Sequence, residues 1–300
     1  METKMHSVRP ASRLVALLGL TLMALVFTGA AQAAGITSTK HNLSTSGTGT
    51  NKLTAGTDQI CVFCHTPHGS DTSAAVPLWN KKLPSTSYAV YNSVAASATS
   101  TIDGQILTVG SISLACLSCH DGTQAMDNIV NAPGSGGYVA AGAVPLGWTW
   151  SGSSTMPVGI ANIGSDLKND HPIGIQYCGG GLTSNGAGSV TGTCADSDFI
   201  SSVNTVTSDG RSATVNSALI NNGNVFWIDL PSNNGTAKDG KRGKQDIALY
   251  TRDFTGSAGT PSVECGSCHD PHVESIGTDN VSFMRVSTAG SKICLSCHVK

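Results

Sequence analysis

Ten cysteines stand in this chain of 300 residues, and eight of them repeat one spacing four times. The copies are Cys61-x-x-Cys64-His65, Cys116-x-x-Cys119-His120, Cys265-x-x-Cys268-His269 and Cys294-x-x-Cys297-His298. The spacing has a chemical cause. One turn of chain sets two thiols where they add to the two vinyl groups of a single haem, and the next residue lies under the iron as its proximal ligand. Two C-x-x-C pairs also suit a four-cysteine zinc site. Zinc has no use for a histidine after every second cysteine, yet all four copies carry one. Disulfides within the pairs leave the histidines unexplained. The pattern predicts four covalently attached haems c, each with its iron.

The histidine count extends this. Of nine histidines, His6 lies in an N-terminal leader and His65, His120, His269 and His298 are the proximal set. His41, His68, His171 and His272 remain, one for each distal position. Bis-His ligation of every iron is the economical outcome; it predicts low reduction potentials and leaves no iron open to a substrate. Met126, Met156 or Met284 completing one iron is the alternative for any single distal histidine.

His68 follows His65 by three residues with Pro67 between. It cannot reach the far face of its own haem, but it can reach another. The arrangement recurs in CGSCHDPHVE, where His272 follows His269. The repeat predicts two dihaem units, Cys61 to His120 and Cys265 to His298. Within them His68 serves the second haem and His272 the fourth. A solvent-exposed His68 is the alternative. His41 has about twenty residues of polar chain before the first motif, enough to span roughly 65 Å if extended, so it can serve its own chain or a neighbour.

Lys4, Arg9 and Arg13 precede an apolar run from Leu14 to Phe27, and Ala31-Gln32-Ala33 forms a small-x-small cleavage site. Residues 1–33 read as a secretory signal peptide cut before Ala34. The run is short for a membrane span, which makes an uncleaved anchor the lesser alternative. No later segment is apolar enough to cross a bilayer. An exported chain is also where haem is attached to cysteine. The formal net charge of -2 gives no basic footprint for nucleic acid.

Residues 121–264 connect the two units. They are rich in Gly, Ser, Thr and Asn, with Pro133, Pro145, Pro157 and Pro231 as breakers, and read as short strands and long loops. NNGNVFWIDL (221–230) is a turn entering an apolar strand, with Thr205–Val215 as its hairpin partner. A short helical turn is expected over Ser111–Cys119. His171 precedes Pro172 and so sits in extended chain. Cys178 and Cys194 are the spare pair; an oxidising compartment predicts a disulfide, with two free thiols as the alternative. Large aliphatic and aromatic residues are thin for this length, so something besides side chains is expected to fill the middle. The domain order is 34–120 N-terminal dihaem unit, 121–264 connection with a distal histidine and the disulfide, and 265–300 C-terminal dihaem unit.

KHNLST, CVFCHTPHG, CLSCHDG, DHPIG, VECGSCHDPH and SFMRVSTAGSKICLSCH together resemble the doubled C-x-x-C-H multihaem cytochromes of metal-reducing bacteria. More narrowly, the chain is similar to the OmcE-like extracellular tetrahaem cytochromes. The resemblance covers both ends of the mature chain and the His171 segment. It implies a fold of mostly coil with short helices and a few β-strands, in which a continuous haem stack forms the core. It also implies an outer-surface protein that polymerises into a filament, where a histidine near the N-terminus completes a haem of the adjacent subunit; His41 holds that position. Of the two arrangements left for the remaining histidines, His171 is placed at the first haem and His41 at the third haem of a neighbour, with the exchanged arrangement, and His41 serving its own chain, as the alternatives. The function expected is electron transfer rather than catalysis. The partners expected are neighbouring subunits, redox partner cytochromes and extracellular electron acceptors, at the cell surface or outside it. A soluble periplasmic electron shuttle is the alternative. A multihaem reductase, acting for example on nitrite, is less favoured because it needs an open iron.

Overall fold

The computed structural model describes residues 35–91, 102–134, 137–231, 237–273 and 283–299. All belong to one compact unit, Ala34–Lys300. The predicted signal peptide lies outside the described residues.

Twelve short strands occur among them. In chain order they are β1 (Leu53–Ala55), β2 (Ile129–Asn131), β3 (Tyr138–Ala143), β4 (Thr149–Trp150), β5 (Ile175–Gln176), β6 (Leu182–Ser184), β7 (Val190–Gly192), β8 (Thr205–Val206), β9 (Ser212–Ile220), β10 (Gly223–Asp229), β11 (Ile247–Phe254) and β12 (Ser257–Val263). Helix is confined to α1 (Ser111–His120), α2 (Cys265–Cys268) and single 3-10 turns. β-structure is thus more extensive than the few strands expected.

The main element is a six-stranded sheet ordered β5-β12-β11-β10-β9-β8, with antiparallel neighbours. All of it comes from the connecting segment. Its centre is the hairpin β9–β10, closed by Asn221 and Asn222, both at positive φ (50° and 61°). A two-residue loop of this kind matches the right-handed twist of the strands, and asparagine tolerates the left-handed region better than most residues. The expected hairpin is present, but its first strand is Ser212–Ile220 rather than Thr205–Val215.

β9 alternates half-buried and buried positions, with Ala213 and Val215 inward. Val215 lies opposite Ile228, and Ile228 opposite Ile247; Phe226 lies opposite Leu249. These rows, with Tyr177, Leu182, Ile200, Leu230, Val263 and Val286, form the largest apolar cluster. A side-chain core therefore exists in the connection. The low overall content of large apolar residues conceals it because they are concentrated in five strands and their flanks.

Two smaller clusters lie around the first motif. Leu53, Val62, Phe63 and Ile129 form one, flanked by Trp148 and Trp150; Ala74, Trp79 and Ala115 form the other. Cys64 packs against both.

Cys178 and Cys194 are joined in a disulfide, which straddles the small hairpin β6–β7. No helix among the described residues is long and apolar enough to cross a membrane.

Candidate functional site

Each C-x-x-C-H copy sits on a short helical turn. In the first, Cys64 and His65 both return their N–H to the Cys61 carbonyl (3.1 and 2.8 Å). The second occupies the C-terminal half of α1, one residue longer than the expected turn. This helix ends at Gly122, whose φ of 72° is a left-handed exit that any Cβ would oppose against the Asn162 side chain. The third is α2, where Glu264 and Ser267 form a capping box. The fourth is a 3-10 turn, with the His298 N–H bonded to the Cys294 carbonyl at 2.9 Å. One turn therefore brings both thiols of every copy to one side.

The histidines share a second property. His65 Nδ1 bonds the Pro77 carbonyl at 2.8 Å, His120 Nδ1 that of Ala161 at 2.7 Å and His41 Nδ1 that of Pro271 at 2.9 Å. His171 Nδ1 points to the Pro172 carbonyl at 3.0 Å, and His272 Nδ1 to Asp270 Oδ1 at 3.1 Å. A ring whose Nδ1–H donates to oxygen presents Nε2 as the coordinating atom, in a fixed orientation and with raised basicity. Five of the eight expected ligands carry this feature.

Two pairs then stand out. His65 and His272 have ring centroids 6.3 Å apart with planes 12° apart, and His41 and His120 have centroids 6.1 Å apart with planes 73° apart. A metal–imidazole bond is about 2 Å, so two rings on opposite sides of one metal have centroids roughly 6 Å apart. The residues present fit an iron between each pair. The structure places His272 beside the first motif, whereas the repeat assigns it to the fourth haem, and His41 beside the second motif of its own chain, whereas the expectation is the third haem of a neighbour. The cause is the segment 269–272. Its Pro271 carbonyl takes the His41 ring while His272 extends on to His65, so one tetrapeptide reaches three motifs. Phe283 stacks on His41 at 4.1 Å and fixes it further.

His68 is exposed, and what holds it is its backbone: Asn131 Nδ2 donates to its carbonyl at 2.7 Å. His171 is likewise exposed on its loop. His298 packs on Phe199 (4.3 Å), and the two residues share a β-bridge. The fourth motif is thereby tied to the main sheet core, which Cys297 and Ile293 also touch.

The thiols fall in a run that follows chain order. Burial pushes the Cys64 thiol up to about 12, with Cys119 of the next motif adding to it and Lys81 opposing. Cys116 is pushed up by its hydrogen bond to Cys265, the first thiol of the third motif. Burial pushes Cys268 up to about 11, with Cys265 and then Cys294 of the fourth motif among its neighbours. The second and third motifs are thus in direct contact across the expected boundary between dihaem units. The sheet makes this contact: β12 ends at Val263, two residues before Cys265, and returns the third motif to α1.

A buried carboxylate fastens the junction. Glu264 accepts from Ser113 of α1 (2.5 Å) and pairs with Arg252 of β11 (2.7 Å); Ser113 Oγ in turn receives the Cys265 N–H (3.0 Å). Burial raises the Glu264 carboxyl, while Ser113 and Arg252 lower it. Gly266 is the other requirement. A Cβ there would meet the Tyr250 hydroxyl and come within 3.0 Å of Ile112 Cδ1, so the third motif approaches α1 only with glycine at that position.

Glu264, Ser113, Lys81 and the carbonyls of Pro77, Ala161 and Pro271 are additions to the site. Asp270 alone had a local signal, in the CHDPH string. Among the described residues, no group of three or more His, Cys, Asp or Glu side chains converges on a bare-ion site. No protein-family model matches the chain, and no curated protein matches it.

Proposed function

We propose that this chain is an electron-transfer protein with four covalently attached haems c. They would be held by Cys61 and Cys64, Cys116 and Cys119, Cys265 and Cys268, and Cys294 and Cys297. His65, His120, His269 and His298 would be the proximal ligands, and His41, His68, His171 and His272 the distal ones. The observation that carries this reading is the pair of imidazole couples, His65 with His272 and His41 with His120, each at the spacing of two axial ligands and each ring tied through Nδ1.

A bound haem supplies one-electron chemistry between ferric and ferrous iron. The protein's part is to hold and to exclude. His65 with His272 and His41 with His120 would hold the first two haems between them and leave those irons closed to a substrate, which favours conduction over reductase chemistry. Ordering the motifs as neighbours in a run gives every centre an adjacent one, and the Glu264 junction holds the middle pair together.

The resemblance of the motif segments supports the further reading of a subunit in an extracellular filament that delivers electrons to external acceptors. A monomeric periplasmic shuttle uses the same site. Expression in a host that matures c-type cytochromes tests the core of the proposal. Four haems per chain by mass and by pyridine haemochrome, all low-spin by EPR, are expected. A chain that takes up no haem overturns the proposal, and a large high-spin fraction turns it towards a reductase. Electron microscopy and size exclusion separate filament from shuttle; a monodisperse monomer at high concentration removes the filament.

A further inference from the structure

Lys81 is completely buried. Its ammonium donates to the Ala125 and Met126 carbonyls at 2.9 and 3.1 Å, and among the described residues it makes no ion pair. Other cations at the site differ. Arg252 has Glu264 at 2.7 Å and Arg285 has Asp270 at 3.6 Å. Asp127, one residue past Met126, is also buried; one of its carboxylate oxygens accepts from the Trp150 indole N–H at 2.6 Å and the other has no hydrogen-bond partner among the described residues. Taking a charge out of water costs several kcal/mol even after relaxation, and among the described residues no carboxylate lies within ion-pair distance of this one.

The position of this charge is fixed by its neighbours. Asn80 donates its N–H to the Cys64 carbonyl (2.9 Å) and its side-chain amide to the carbonyls of Val62 (2.6 Å) and Asn131 (3.0 Å). Lys81 itself bridges to Ile129. The Lys81 side chain therefore runs from backbone held against the first C-x-x-C-H turn to the carbonyls of residues 125 and 126, and the Cys64 thiol feels its field.

We infer that Lys81 is a fixed positive charge that sets the haem at Cys61 and Cys64 to the highest reduction potential of the four, so that electrons in the array collect at its first-motif end. This rests on the four-haem reading proposed above. Reduction adds one negative charge to a centre, and a nearby buried cation stabilises that state without the screening that weakens surface charges. One electron moves: the donor iron goes from ferrous to ferric, the first-motif iron from ferric to ferrous, and no proton or atom is transferred. The carbonyl dipoles hold the ammonium and reduce its field without reversing it. The first motif is also the end of the thiol run, so the bias gives the array a direction.

The test is spectroelectrochemical titration of the full-length four-haem protein and its variants. Lys81→Gln keeps a donor for the carbonyls and removes the charge; Lys81→Arg keeps the charge. The Gln variant is expected to lower one midpoint potential, with about a tenfold fall in that centre's equilibrium constant, or about 59 mV for one electron. The Arg variant is expected to leave all four near their original values. Four unchanged potentials in a folded, fully loaded Gln variant overturn the inference, as does an equal shift of all four. A second measurement does not depend on how Lys81 variants fold. Replacing Cys61 and Cys64 by Ser must remove the highest-potential component; loss of any other component overturns the inference. A chain with no haem fails at the earlier reading, whereas four haems with the wrong order of potentials fails only here.

Discussion

The imidazoles of His65 and His272 lie with centroids 6.3 Å apart and planes only 12° apart, although 207 positions separate them in the chain (272 minus 65). The His41 and His120 rings have nearly the same separation but stand 73° apart. If each pair clasps one iron, the two centres must differ spectroscopically. Near-parallel imidazole planes give an ordinary rhombic low-spin ferric EPR signal, and near-perpendicular planes a strongly anisotropic one. His272→Ala is expected to remove a rhombic component and leave the anisotropic one, and His41→Ala the reverse. Both losses should appear in monomeric protein. A His272→Ala variant whose altered centre is the one attached at Cys294 and Cys297 would restore the sequence-based assignment.

Asp270 gives the pH dependence. The hydrogen bond from His272 holds its carboxyl at about 2, below the ordinary 3.8, with Arg285 contributing. A carboxylate lowered on folding contributes stability above its ordinary value and loses it as pH falls towards the folded value. The benefit is therefore complete at neutral pH and fades between about 3.8 and 2. Asp270→Asn is expected to unfold more easily than the parent at pH 7 and to match it near pH 2, in thermal scans followed at the haem Soret band. An equal deficit at both values would assign the effect to packing instead.

What was legible followed from short range. The C-x-x-C-H turns, the helix beginning at Ser111, the Cys178–Cys194 bridge and the turn before Val225 all depend on residues close in sequence or on a closed count. Which histidines meet depended on the sheet, and the sheet on partners far apart: Ile175 pairs with Val263, and Ile228 with both Val215 and Ile247. Nothing local to CGSCHDPH distinguishes a histidine that serves the next motif from one that reaches back to the first. Lys81 and Glu264 were hidden for the same reason, since their burial is a product of β2, α1 and β12 meeting. The resemblance offered a matching position for His41 but no geometry, and in this structure that residue lies against His120 of its own chain.

The Asn221–Asn222 turn closes the β9–β10 hairpin at the centre of the sheet. Both residues are left-handed, a conformation that costs an ordinary L-residue about 1–2 kcal/mol and a β-branched one at least as much. Asn222→Val is expected to cost about 1–2 kcal/mol by denaturant unfolding, and Asn222→Gly to be neutral or stabilising. A Val variant as stable as the parent would mean that the hairpin is held by its strands alone.

The final prediction concerns what fills the core. Scarce apolar residues suggested a chain that collapses only around its haems, and the sheet suggests otherwise. Phe226, Ile228, Ile247 and Leu249 are buried against one another with no contribution from the motifs at the N-terminal end. The disulfide closes a loop of sixteen residues beside them, which contributes about 3 kcal/mol in the chain-entropy model. A variant with all eight motif cysteines replaced by Ser is therefore expected to keep a β-sheet signature in far-ultraviolet circular dichroism while losing helix. In that background Phe226→Ala should cost about 3–5 kcal/mol, and reduction of Cys178–Cys194 should lower the transition further. A random-coil spectrum from the eight-Ser chain would show that the sheet forms only around bound haem.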